Sequence, residues 1–207
     1  MKRSLSVATS ILRGYDYSQV RDVVSTLAGS KVVGNVEITL NTGDAIEAIR
    51  KISDEFGHQI NVGAGTVLDY HHLVLACEAG ATFVLAPDAM TCEMLEYCQN
   101  HDVVSVPGAF TPSEIREQFR RGADVVKVFP ANELSHGYAK KVCEPLGNLP
   151  LMAVGGVNAE NVGEVLDSGY SYVGSAGGIF KRQDILSHNT TGMKESLTAF
   201  EAAVLAR

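Results

Sequence analysis

VVSVPGAFTPSEIREQFRRGADVVKVFPA, Val103–Ala131, decides the fold. It opens and closes on runs of β-branched residues, and the residues between them follow a helical period. Thr111, Pro112 and Glu114 mark where the helix begins: an N-cap, a proline at the first helical position and a capping-box glutamate. Gly122 marks where it stops. Two strands joined by a helix through short loops imply a parallel pair with a right-handed crossover. The second strand, DVVKVFPA, carries Lys127 with Val125 and Val126 before it and Val128 after it. Burying an ammonium is unfavourable unless it is paired or gives up its proton, so this lysine requires a chemical reason.

The same unit recurs along the chain. SLSVATSIL precedes YSQVRDVVSTLAG, GNVEITL precedes GDAIEAIRKISDEF, and INVGAGTVL precedes YHHLVLACEAG. ATFVLAP leads into TCEMLEYCQN, DVVKVFPA into HGYAKKVCEPLG, LPLMAVGG into AENVGEVLDSG, and YSYVGSAGGIF into a last helix near TGMKESLTAFEAAVLA. Gly80 and Gly169 stop helices as Gly122 does. With Val103–Ala109 included this makes eight strand–helix units. An open doubly wound sheet and a closed barrel both accept such alternation; eight units favour a (β/α)8 TIM barrel of the α/β class. At 207 residues the chain is shorter than the usual ~250, so the barrel is expected to be compact, one domain over residues 1–207.

Composition narrows the partners. A net charge of −7 argues against a nucleic-acid footprint. No apolar run reaches the length of a membrane span, and MKRSLSVATSILRG is too broken by Ser and Thr for a signal peptide. Cys77, Cys92, Cys98 and Cys143 form no CxxC pair, which suits free thiols in a reducing cytoplasm. His71 and His72 lack a further ligand at metal spacing, and no metal or cofactor is expected.

Strand parity then places the charges. If Val36, Ile38 and Leu40 meet the helices, Glu37 and Thr39 face the barrel interior. If Val126 and Val128 meet the helices, Val125, Lys127 and Phe129 face inward. Glu37 and Lys127 thus share the interior. A structural ion pair or a solvent-facing edge strand would be the bland explanations. Buried pairs seldom gain over apolar packing, and valines on both sides of Lys127 oppose an edge. The strand ends carry Gly- and Pro-bearing turns: Gly63–Thr66, Pro87, Pro107–Gly108, Pro130, Gly155–Gly156 and Gly174–Ser175. Barrels form sites at that face, and the last two such loops often bind phosphate through backbone amides. GAGTV lacks the spacing of a dinucleotide fingerprint.

A desolvated lysine is a neutral amine nucleophile whose natural electrophile is a carbonyl. The resulting iminium is an electron sink, and Glu37 can move the protons. This is the logic of a class I aldolase, which needs no metal. The ordered motifs VEITLNT, GAGTVL, VPGAFTPSE, VKVFPA and VGGVNAEN resemble the 2-keto-3-deoxy-6-phosphogluconate (KDPG) / 4-hydroxy-2-oxoglutarate (KHG) aldolase family, from about residue 11 to residue 181. The resemblance implies a (β/α)8 barrel, usually a homotrimer, that splits a keto-acid sugar phosphate into pyruvate and an aldehyde. It implies Lys127 as the Schiff-base residue and Glu37 as the acid/base. Asn41 and Val154 stand where gluconate-type members carry Arg and Thr; together with ILRG and AVGGV they resemble the 2-keto-3-deoxy-6-phosphogalactonate branch. On that reading Thr66, Pro87 and Phe129 shape the pyruvate pocket, Arg13 supplies the inward cation, and Val154, Gly155 and Gly156 line the pyruvate end. Gly174 and Ser175 form the phosphate turn, and Asp88 alters the rim. An aldolase for an unphosphorylated acid such as 4-hydroxy-2-oxoglutarate, a phosphate-binding epimerase or isomerase, and a non-catalytic binding barrel are the alternatives.

Overall fold

The computed structural model describes Lys2 and residues 4–207. Among these residues nine strands are formed: β1 (Ala8–Leu12), β2 (Asn35–Thr39), β3 (Asn61–Gly65), β4 (Phe83–Leu85), β5 (Val104–Val106), β6 (Gly108–Ala109), β7 (Val126–Val128), β8 (Leu151–Val154) and β9 (Tyr172–Ser175). All pairings are parallel, in the order β5-β4-β3-β2-β1-β9-β8-β7-β6. The two ends of that series are halves of one strand, interrupted at Pro107 because proline has no N–H for the ladder. Carbonyls of Ser105, Pro107 and Ala109 accept from the amides of Val125 (3.2 Å), Lys127 (2.8 Å) and Phe129 (3.1 Å). On the other side Ala86 N donates to Val106 O (3.2 Å) and Gly108 N to Asp88 O (2.7 Å). Hydrogen bonds therefore run round the whole barrel, and the eight expected units are present with the fifth strand in two pieces. Gly108 has to be glycine: a Cβ there would lie 2.3 Å from the Pro87 carbonyl oxygen.

Helices return the chain between strands, Tyr17–Leu27, Ala45–Phe56, Tyr70–Glu78, Cys92–Asn100, Pro112–Arg120, Tyr138–Leu146 and Val162–Asp167. The helix that begins at Pro112 has its capping box: Glu114 accepts from Thr111 N at 2.8 Å, and Thr111 Oγ1 accepts from Glu114 N. Gly80, Gly122 and Gly169 end helices at positive φ. Two details differ from the sequence reading. A 3-10 turn, Ala131–Glu133, precedes the helix after β7. The final segment is two helices, Arg182–Leu186 and Thr190–Leu205: His188 turns left-handed (φ 54°) after the first, and Asn189 caps the second through Gly192 N. No described helix is long and apolar enough to cross a membrane.

Two apolar layers result. Val36, Ile38, Val126 and Val128 join the large core between sheet and helices. Inside the barrel, Ile11, Phe83, Leu85, Val104, Val106, Val125, Met152 and Val154 form a separate plug. At roughly 1.5–3 kcal/mol per large buried side chain, that plug stabilises the floor beneath the two interior charges.

Candidate active site

A cavity of about 390 Å³ opens at the C-terminal ends of the strands. Lys127 and Glu37 both line it, as parity requires, and they are 6% and 3% exposed. They feel each other electrostatically, yet they form no contact ion pair among the described residues: Glu37 Oε2 is buried and has no hydrogen-bond partner. The nearest aromatic neighbour of the amine is the Phe129 ring, with Nζ 5.0 Å from its centroid. The pair is thus poised around open space rather than locked together.

Burial dominates both titrations. It raises the Glu37 carboxyl from 4.5 to about 7, against the opposing pull of Lys127 and then Arg13. Burial also lowers the Lys127 pKa; Glu37 works against this, Arg13 reinforces it, and Asp88 opposes it. A lysine that can shed its proton and a carboxyl titrating near neutrality are a nucleophile and a general acid/base in one cavity.

Arg13, Thr66, Pro87, Phe129, Val154, Gly155, Gly156 and Ser175 line the same cavity. The Arg13 side chain follows β1 and has no ion-pair partner among the described residues, so its charge is available to an anion. Thr66, directly after β3, has φ 56°, a left-handed conformation that disfavours a β-branched residue by about 1–2 kcal/mol. Such strain collects at binding rims. Asp88 is exposed and does not line the cavity, although its charge reaches Lys127.

The far end is built by the turns after β8 and β9. Gly155 and Gly156 have φ 119° and 71°, and their amides, like those of Ala176 and Gly177, meet no protein acceptor among the described residues. Such amides form an anion cradle. Gly174 lies below the cavity within β9, where a Cβ would stand 2.9 Å from Val154 Cγ2 and 3.1 Å from Ile11 Cδ1. Ser175 lines the cavity, but its hydroxyl is engaged: it donates to Val157 O at 2.7 Å and accepts from Gly178 N at 2.9 Å. It ties the two turns together, and the free donors come one and two residues later. The sequence reading missed Ile11, Val157, Asn158, Ala176, Gly177 and Gly178. The glycine pair in GSAGGIF, Gly177–Gly178, is the available signal for the last three.

The profile of the KDPG and KHG aldolases matches residues 4–194. The chain is 38% identical over 133 residues to a 2-dehydro-3-deoxy-phosphogluconate aldolase of Pseudomonas aeruginosa, an alignment spanning 63% of this chain and 59% of that protein. It is 25% identical over 170 residues to the 2-dehydro-3-deoxy-6-phosphogalactonate aldolase of Escherichia coli K12, covering 82% of each. Among solved structures, a KDPG aldolase from Legionella pneumophila, with pyruvate captured at low pH as a covalent carbinolamine intermediate, superposes with a TM-score of 0.83 at 26% identity. That superposition covers 94% of each chain.

Proposed function

The chain belongs to the KDPG and KHG aldolase family, and from that premise we propose that it is a class I aldolase whose one barrel domain cleaves 2-dehydro-3-deoxy-6-phosphogalactonate or its gluconate epimer into pyruvate and glyceraldehyde 3-phosphate. The observation that carries this reading is the pairing of a desolvated Lys127 with an uncompensated, near-neutral Glu37 in one cavity. Lys127 Nζ adds to the C2 carbonyl, and loss of water gives the iminium. The Glu37 carboxylate takes the proton of the C4 hydroxyl as the C3–C4 bond breaks, and the bonding pair moves to the iminium nitrogen as the enamine. The aldehyde leaves, and the Glu37 carboxyl returns its proton to C3. Water then hydrolyses the pyruvate iminium and frees the amine. Arg13 supports the substrate's negative charge, Thr66, Pro87, Phe129 and Val154 shape the pyruvate end, and the amides of Gly155, Gly156, Ala176 and Gly177 suit the phosphate.

Pyruvate release from the two epimers, followed with a coupled dehydrogenase, tests this. Turnover of at least one epimer is expected, and none from either would refute it. The engaged Ser175 hydroxyl favours a second reading, an unphosphorylated acid such as 4-hydroxy-2-oxoglutarate. A higher kcat/KM for the plain acid than for the phosphorylated ones would establish that reading instead. We further propose a homotrimer, as the family resemblance implies, and a cytoplasmic setting, which the free thiols support.

A further inference from the structure

Strand β3 turns alternate residues into the barrel, and both inward positions beside the site, Gly63 and Gly65, are glycine. The missing side chains are replaced by those of neighbouring strands. A Cβ on Gly63 would meet the Phe83 ring at 2.4 Å, so the ring from β4 fills that gap as part of the plug. A Cβ on Gly65 would stand 1.5 Å from Glu37 Oε1, 2.2 Å from its Cδ and 2.6 Å from its Cγ. The Glu37 carboxyl therefore rests on the bare Cα of Gly65.

Register explains how it gets there. Glu37 pairs with Gly63, and Gly65 pairs with Thr39. The Glu37 side chain thus leans towards the strand ends, and so towards the cavity, while crossing to β3. Gly65 is not among the residues with positive φ. Its backbone would accept alanine, and the three atoms that a Cβ there would meet first all belong to Glu37.

We propose that Gly65 is a positioning residue for the acid/base step: its lack of a side chain sets where the Glu37 carboxyl sits relative to Lys127. This rests on the reading of Glu37 as the proton carrier. Lys127 lies on β7, which is not a neighbour of β3, and the three atoms nearest a Cβ on Gly65 belong to Glu37 rather than to it.

The test is Gly65→Ala, read by two partial reactions of pyruvate. Exchange of the pyruvate methyl protons in deuterated water reports proton transfer at C3, and borohydride trapping reports imine formation. Displacing a catalytic group by about 1 Å can cost up to about 100-fold, so exchange is expected to fall between about 10- and 100-fold while trapping stays at the wild-type extent. The pH profile of exchange should also move its Glu37 limb. In a Glu37→Ala background, Gly65→Ala should cost no more than about 2-fold, because the group it displaces is gone. Wild-type exchange by Gly65→Ala, or an equal loss in both backgrounds, would overturn the proposal while leaving the Glu37 reading intact. Full exchange by Glu37→Ala alone would remove the reading of Glu37 and the proposal with it. If Gly65→Ala fails to fold, the double variant Gly65→Ala/Glu37→Ala should fold; an unfolded double variant would overturn the proposal.

Discussion

Replacing Glu37 by glutamine should abolish the pH dependence that this one residue imposes on stability. The folded protein holds the Glu37 proton up to about 7, whereas the unfolded chain releases it near 4.5. Between those values the native state binds more protons, so its stability falls as pH rises. The contribution is fully present below the unfolded value and is lost as pH passes through the folded one. A displacement of this size corresponds to about 3 kcal/mol on the charged form, most of which falls between about pH 5 and about pH 8. Glu37→Gln keeps the shape and removes the charge. Its unfolding free energy relative to wild type should therefore rise by about 2 kcal/mol over that interval. Urea unfolding of both proteins at several pH values and one fixed protein concentration measures it. Repeating the comparison in a Lys127→Met background removes the coupled amine. A gap that stays flat within about 0.5 kcal/mol would show that Glu37 is solvated, and would refute the desolvated site.

Lys127→Met should abolish aldol cleavage without lowering the thermal midpoint, because an apolar chain of similar length replaces an amine that burial already disfavours; calorimetry beside the pyruvate-release assay checks both halves. Ser175→Ala removes two hydrogen bonds, to Val157 O and from Gly178 N, worth about 1–3 kcal/mol together. It should raise the KM for a phosphorylated substrate by about 10-fold with little change in pyruvate trapping, since the anion cradle loosens while the imine end is untouched; steady-state kinetics with and without the phosphate separates these effects.

The barrel was legible because each unit carries its own punctuation, and parity alone turned Lys127 and Glu37 inward. Both are local readings: a strand with a charge among valines has only two faces to offer. What escaped was set by neighbours. VVSVPGAF reads as one strand, and only the ladder shows that Pro107 divides it. Gly174 and Ser175 read as a turn, but pairing with β1 and β8 carries β9 through Ser175 and moves the free amides to Ala176 and Gly177. Gly65 reads as a turn glycine too; that it seats a side chain from β2 depends on how Glu37 leans across the sheet. Asp88, expected to alter the rim, acts on Lys127 only through its charge.

The central claim is that Lys127 is the residue that bonds to the substrate. Incubating the protein with pyruvate and borohydride, then mapping the adduct by peptide mass spectrometry, tests it most directly. The account predicts one reduced pyruvate adduct, on the peptide carrying Lys127, absent from Lys127→Met. No mass increase, or an adduct on another lysine with Lys127 unmodified, would contradict it.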